Sequence, residues 1–563
     1  MNILLLVSAF NGLSQRAWCA LRGAGHDVTV ELAPVYDTPE ALTAMVYAAD
    51  PDLILCPFLK HRVPAEVWQK WPTVIIHPGP VGDRGPSSLD YAIMEGDRQW
   101  GVTALSAVEE MDAGPVWATR TFAVPERITK AALYNGPVAD AAMECIAEVV
   151  AGAADPRFSP TPQEQLPRPV PHATTRPALR RADRAIDWSW PADRIARVIR
   201  AADSSPGVRV TIGDATVNVY DACIGDPSPR RFTPGRLVAR GEGAVAVATG
   251  DRLLWIGHAK VPRDLGGNGV KLPAATVLAD ESTPQMAVPR DMRLTRYERI
   301  GDVGVLTVHA YNGAMSTEQC DRIAVALTAA LDDSTGVVVL RGTSAGFSNG
   351  IHLNVIDTAP DPAAEAWANI VAINRLCTAL VSCTDKLTVA AFTANAGAGG
   401  VMLGLAADVV VARDGVVLNP YYDMGLYGSE LHSYTLPRRV GPATAARLLD
   451  ARLPVDAAEA AVIGLVDAVG PGDPGEFDGW LTDLAQRYAD DDWHQDALAA
   501  KAGDLARLHP PAYYEARELA EMARDFFDDR SGFAAARAEF VHKTPPTATP
   551  AKLARHRWSL AGR

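Results

Sequence analysis

Between Ile75 and Gly114 the chain reads IIHPGPVGDRGPSSLDYAIMEGDRQWGVTALSAVEEMDAG. The apolar run Thr73–Ile76 reads as a strand that delivers His77 to a Pro-Gly turn, the way a strand end presents a side chain at a sheet edge. A Gly/Pro/Ser loop, a short helical segment and a second apolar strand follow, and Asp112 stands just before a glycine turn. Two strand-end residues of a parallel sheet can converge on one cleft. A carboxylate beside an imidazole fixes its tautomer and favours its protonated form, which suits proton transfer near neutral pH. By position alone the pair fits equally a strand cap and a turn start.

Upstream, Ile3–Ala9, Asp27–Leu32 and Leu53–Pro57 read as strands, with Gln15–Gly25 and Thr38–Ala49 as helices between them. This alternation over residues 1–150 implies a parallel, Rossmann-like α/β sheet with helices on both faces. The first turn, SAFNGLSQR, has no G-x-G-x-x-G, which argues against the ordinary dinucleotide mode. Asn11, Gln15 and Arg16 are substrate contacts at the strand end on one reading, and plain turn and helix-start residues on the other.

With 563 residues the chain exceeds a single core, which stops growing at roughly 250–300 residues. Apolar residues make up 48% and charged residues 21%, enough for several cores. A net charge of −14 argues against nucleic acid or an anionic membrane as the main partner, while leaving room for local basic pockets that hold anions. The seven cysteines are scattered and lack C-x-x-C spacing, so they read as reduced core residues. No histidine spacing points to a metal. MNILLLVSAF lacks a basic start and reads as a first strand, and no apolar run reaches spanning length, so a cytoplasmic location is expected.

The elements HPG, RGPSSLDYAI, GVTAL and EMDAG resemble the active-site region of the formyltetrahydrofolate-dependent formyltransferases. The resemblance implies catalytic roles for His77 and Asp112, with the loop residues Gly82, Asp83, Arg84 and Ser87 on the folate side. That family carries Asn two residues before the histidine; this chain has Ile75. Either another donor polarises the formyl oxygen, or His77 does so once protonated.

Residues 153–180 have the Pro, Thr and Arg content of a linker. IDWSWPADRIARVIRAADSSPGV then places Trp188, Ile195, Val198 and Ile199 at helical spacing. Short strands at Arg209–Ile212, Thr216–Tyr220, Ala244–Ala248 and Leu253–Ile256 indicate a small, OB-like β-barrel. IDW…IRAAD…PG resembles the C-terminal barrel of formyltransferases, read here as a packing domain that walls the cleft. A second boundary falls over Glu281–Arg293. The expected domains are 1–170, 171–285 and 286–563, the last an α/β domain whose end is helical.

In that last domain NGAMS, FSNGIHL and AGAGGVMLGLAAD resemble the crotonase (enoyl-CoA hydratase) superfamily over about 290–470. By position Ile351 and Gly399 would supply the backbone N–H groups that hold a thioester oxygen, with Gly350 and Gly400 beside CoA and Asn11 and Arg16 as further CoA contacts. Gly397–Gly400 lets a backbone approach a ligand closely, and Val401–Ala407 reads as a helix whose start favours an oxyanion. The same glycines also suit tight helix–strand packing. Met402 and Tyr421 stand where hydratases carry their two glutamates, so ordinary hydration is not expected. NPYYDMGLYGSE instead offers Tyr422 and Glu430, with Tyr421 competing for the tyrosine role; core filler and a loop acid are the plain alternatives.

A formyltransferase module followed by a crotonase-like module is the order of the HypX family of hydrogenase maturation factors. That resemblance implies formyl transfer from formyltetrahydrofolate to CoA, then decarbonylation of formyl-CoA to carbon monoxide for a NiFe hydrogenase, with other maturation proteins as partners. The alternatives are a formyltransferase with an amine acceptor, its crotonase half only binding CoA, and a non-enzymatic assembly factor.

Overall fold

Strands β1 (Asn2–Val7), β2 (Asp27–Leu32), β3 (Leu53–Cys56), β4 (Thr73–His77), β5 (Gln99–Ser106) and β6 (Val116–Ala123) form one sheet, in the order β2-β1-β3-β4-β5-β6. The computed structural model describes residues 1–227, 232–344, 346–490 and 493–557. Strands β1 to β4 pair in parallel, as the alternation of strands and helices implies. β5 and β6 do not: both pairings are antiparallel, so the expected all-parallel sheet ends at β4. The helix Ser88–Glu95 between β4 and β5 has only eight residues. The loop and helix between them bring β5 back beside β4 the other way. Leu4, Leu6, Val46, Ile54 and Trp71 pack one face of the sheet.

Residues 155–190 run over this sheet domain without regular helix or strand beyond short 3₁₀ turns, but they are not a free linker. Gln163, Val170 and Ala173 are buried. The next helix is Ala192–Ala201, so Trp188, expected on it, lies before its start. Pro191 stands at its N-cap in extended geometry, and a residue preceding proline is pushed out of the helical region. Trp188 instead donates from Nε1 to the Thr211 carbonyl at 3.0 Å. The strands that follow are antiparallel: Val208–Ile212 beside Ala215–Pro227, then Arg252–Lys260, Ala244–Ala248 and Leu237–Gly241. Ile195 and Ile199 seal their core.

The chain forms two compact units, one of Met1–Asn268, Pro273–Ala287 and Pro545–Arg563, the other of Gly269–Leu272 and Val288–Thr544. The two formyltransferase-like segments share one unit, and the C-terminal tail from Pro545, inside the range 286–563 expected for the last domain, packs in the first unit instead. Val30 N–H donates to the Leu553 carbonyl and Leu32 N–H to Thr549 Oγ1, both at 3.0 Å. β2 is the outer strand of its sheet, so the tail satisfies edge groups that β2 would otherwise present unpaired. The end of that tail, from Trp558, lies outside the described residues.

The second unit is built on a sheet ordered Thr295–Ile300, Val303–Val308, Val337–Arg341, Leu387–Phe392, Val409–Arg413 and Ala468–Gly470. Only the first pair is antiparallel. Thr317–Asp332 and Pro362–Ser382 are long helices, and among the described residues four helices from Pro474 to His542 complete the unit. No helix among the described residues is long and apolar enough to cross a membrane.

Candidate active sites

In the first unit His77 ends β4, opposite Thr103 of β5. The turn that follows is held by its carbonyls. Ser88 Oγ and Trp100 Nε1 donate to the Pro78 carbonyl at 2.7 and 3.0 Å, and Thr103 Oγ1 donates to that of Gly79 at 2.8 Å. His77 is 4% exposed, and its Nε2 lies 2.8 Å from Asp83 Oδ2. Asp112 Oδ2 lies 3.5 Å from Nδ1 and accepts the Gly85 N–H at 3.0 Å. Asp83, expected on the folate side, is thus the nearest partner of the imidazole, with Asp112 on its other nitrogen. A Cβ on Gly79 would fall 2.2 Å from Asp83 Oδ2 and 2.4 Å from His77 Nε2, so only glycine fits this cradle. Burial by itself would lower the pKa of His77, but the Asp83 hydrogen bond and the charges of Asp112 and Asp83 outweigh it and raise the value above 6.5.

Asp112 reaches this place by a route other than the one expected. β5 runs antiparallel to β4, so its last residues lie away from His77, and the loop after it folds back. Asp112 adopts φ 55°, and a Cβ on Gly114 would fall 1.9 Å from the Ser106 carbonyl. Gln163 clamps the turn from the loop segment, its Nε2 donating to the carbonyls of Asp112 and Gly114 at 2.8 and 2.9 Å. The remaining loop residues are tied to the same segment or to the loop that carries Asp112. Ser87 Oγ accepts the Leu179 N–H at 3.1 Å, Gly82 (φ 94°) lies beside Arg168, and Arg84 pairs with Glu110 at 2.8 Å.

Asn11 and Arg16 have structural partners. Asn11 caps the helix Gly12–Gly23, accepting the Ser14 N–H at 3.1 Å, and its Nδ2 donates to Tyr134 Oη at 3.2 Å. Arg16 is ion-paired with Asp140. Glu95, Asp97 and His172 bring three possible metal-ligand atoms within 4.8 Å of one another, a grouping that sequence spacing does not show. Its members already pair, Glu95 with Arg176 at 2.7 Å and His172 with Asp97 at 2.8 Å.

In the second unit the two glycine loops meet. A Cβ on Gly350 would lie 3.4 Å from both Cα and N of Gly399. Gly350–Ile351 pairs in parallel with Ala314–Met315. Ala345, in the same loop, lies outside the described residues. Gly400 is pressed against the Ser348 carbonyl, where a Cβ would fall at 2.0 Å. The following helix is Gly399–Leu405, two residues earlier than its pattern suggests.

Glu430 faces this junction. A Cβ on Gly399 would fall 2.1 Å from Glu430 Oε1, so a hydrogen there is what admits the carboxylate. Glu430 is 1% exposed and has φ 58°. Tyr422 Oη lies 2.7 Å from Glu430 Oε2 and 2.7 Å from the Ser429 carbonyl, while Tyr421 turns away to Asn419 Oδ1 at 3.0 Å. Of the two tyrosines, Tyr422 meets the acid. Burial raises the pKa of Glu430 to about 7, against the lowering effect of the Tyr422 hydrogen bond and with a further rise from Glu518. Burial also drives Tyr422 well above the usual phenol range.

Two residues that the sequence reading did not single out hold this acid. Asn374 Oδ1 accepts the Glu430 N–H at 2.9 Å and the Ser429 hydroxyl at 3.0 Å. Glu518 accepts the Leu431 and Ser433 N–H groups at 3.0 and 2.8 Å. Both sit on helices whose periodicity marks them only as interior positions; an Asn and a Glu on a buried face are the signal available.

Residues 10–150 match the formyl transferase family, 178–264 the formyl transferase C-terminal domain, and 301–502 the enoyl-CoA hydratase/isomerase family. Hydrogenase maturation factor HoxX of Bradyrhizobium diazoefficiens is 40% identical over 566 aligned residues, covering 99% of this chain and 97% of its own. The crystal structure of Aquifex aeolicus HypX in complex with tetrahydrofolic acid aligns with a TM-score of 0.92 and 37% identity, over 99% of each chain. A methionyl-tRNA formyltransferase of Roseiflexus castenholzii is 36% identical over 171 residues, 30% of this chain and 52% of its own. With a formyltransferase module and a crotonase-like module in one order over nearly its whole length, the chain belongs to the HypX/HoxX family of hydrogenase maturation factors.

Proposed function

We propose that the protein makes carbon monoxide for the active site of a NiFe hydrogenase in two steps, with formyltetrahydrofolate as formyl donor and CoA as acceptor. The folate complex of the Aquifex relative and the formyltransferase match support the donor, and the crotonase-like unit supports the acceptor. In the first step the C–S bond of formyl-CoA forms as the C–N bond to folate breaks. A free thiol ionises near pH about 8.5, so the attack asks little of a base. His77, held between two carboxylates that favour its cation, gives its proton to the departing folate nitrogen and regains one from the proton released by the thiol.

In the second step Glu430 removes the formyl proton of the thioester, whose oxygen is held by the N–H groups of Ile351 and Gly399. The C–S bond breaks, CO leaves, and the thiolate is reprotonated through Tyr422. Atoms balance without an oxidant or reductant: formyl-CoA gives CO and CoA. The observation that carries this reading is the placement of the Glu430 carboxyl. It lies against Gly399 with a value of about 7, a usable base in a unit where Met402 and Tyr421 replace the hydratase acids.

The test is to incubate the protein with formyltetrahydrofolate, with and without CoA, assaying headspace CO by haem absorbance and formyl-CoA by mass spectrometry. CoA-dependent CO is expected. Glu430→Gln is expected to lower CO formation by about 10²–10⁴-fold while formyl-CoA accumulates. A formylated amine without CO would instead identify an amine acceptor, and neither CO nor formyl-CoA from folded protein would overturn the scheme.

A further inference from the structure

Glu518 lies on the helix Pro511–Phe527 and is fully buried. It receives the Leu431 N–H on Oε2 at 3.0 Å, and the Ser433 N–H and hydroxyl on Oε1 at 2.8 and 2.5 Å. Those donors belong to the turn just after Glu430, where Glu430 and Leu431 both take positive φ, 58° and 56°. Such backbone costs about 1–3 kcal/mol per residue and persists only where its surroundings over-determine it. Asn374 secures the turn on the Glu430 side and Glu518 secures it on the other.

A neutral acceptor would serve to hold N–H groups. A second carboxyl buried at the same turn does more, because two buried acids resist ionising together. The other titratable groups around Glu430 do not relieve this. Tyr422 and the thiols Cys320 and Cys377 are pushed upward by burial and by Glu430 itself. His432, 3.5 Å from Glu518 Oε1, is lowered to about 4 by burial and stays neutral. Asp525, on the same helix as Glu518, binds the Tyr427 N–H at 2.7 Å and is paired with Arg530 at 2.7 Å. The helix Gly399–Leu405 carries no titratable side chain.

We infer that Glu518 is a positioning residue for Glu430, which fixes the turn presenting it and, as a second buried acid at that turn, opposes its ionisation. The role in CO release rests on the reading of Glu430 as the base; the coupling itself does not.

Carboxyl infrared bands of the full-length protein, followed from pH 5 to 9, test this without turnover. The Glu430 band is assigned by its loss in Glu430→Gln, and the Glu518 band by its loss in Glu518→Gln. In Glu518→Gln the Glu430 band is expected to ionise at a pH lower by about one unit, a roughly tenfold fall in its protonated fraction at a fixed pH. Glu518→Asp, which keeps the charge, should restore most of it. Coupling is mutual, so Glu430→Gln must move the Glu518 band down by a similar amount, a measurement that stands if Glu518→Gln fails to fold. Unmoved bands in folded variants would overturn the inference. CO assays on the same samples separate the two ideas, since coupled bands without CO in the parent protein would retire the Glu430 reading alone.

Discussion

His77 shows how little of a buried histidine–carboxylate cluster lies in its spacing. Its nearest acid, Asp83, is six residues away in the turn that glycine at 79 permits, and Asp112 arrives from a separate loop. Both ion-pair partners are buried, with side-chain exposures of 5% for His77 and 2% for Asp83. Removing one partner of such a pair typically costs ~3–5 kcal/mol. Asp83→Asn is therefore expected to destabilise the first unit by an amount of this order and to lower the pKa of His77. The sign follows from the direction of the shift. A histidine raised above 6.5 contributes stability that is fully present below that pH and is lost as pH rises through its folded value. The cost of Asp83→Asn should accordingly be larger at pH 6 than at pH 9, as read by chemical denaturation. His77 ring resonances should move further in Asp83→Asn than in Asp112→Asn. An equal cost at both pH values would argue that the bond matters only as packing.

At the scale of elements, the antiparallel β5 decides how the first site is assembled. A strand that leaves His77 behind must send its loop back, and that return is held by glycine at 114 and by Gln163. The segment around Gln163 has linker composition, and its proline and arginine content says nothing about the two carbonyls it serves. Gln163→Ala is expected to cost ~1–3 kcal/mol, the penalty of leaving buried acceptors unsatisfied, and to reduce formyl-CoA formation about 10²-fold by displacing Asp112. Stability falling with formyl-CoA formation intact would separate the clamp from catalysis. Composition made the segment legible as loop. Its burial was not legible, because burial depends on what packs over it.

At the scale of the whole molecule, the tail changes which residues belong together. Glu31 on β2 is fully buried and accepts hydrogen bonds from Thr549, Arg557 and Tyr36, with His556 Nε2 3.1 Å away. Burial acts to raise its pKa, but the bonds from His556, Arg557, Thr549 and Tyr36 prevail and hold it at about 2. A carboxylate depressed in this way contributes stability that is present above pH 4.5 and lost as pH falls toward 2. Combining His556→Ala with Arg557→Ala is expected to cost ~3 kcal/mol in the first unit at pH 7, the lower end for a buried pair because Arg557 is partly exposed. Thermal melts should show that loss fade below pH 4. A double variant as stable as the parent at pH 7 would show that the tail covers β2 without securing Glu31.

Apolar runs, turn residues and the lengths of helices determined much from the chain alone: the strands to β4, the small antiparallel domain, the long helices of the second unit, and the positions of His77, the glycine loops, Tyr422 and Glu430. Those properties are local, since they follow from backbone freedom and periodicity within a few residues. Tertiary structure decided the direction of β5, the contact of Tyr422 and not Tyr421 with Glu430, the pairing of Asp83 with His77, and the docking of the tail on β2. It also decided that Glu430 and Glu518, 88 positions apart in sequence, share one buried turn. Such contacts join residues with no periodic relation along the chain, and their energies come from burial and charge, which exist only once the chain has folded.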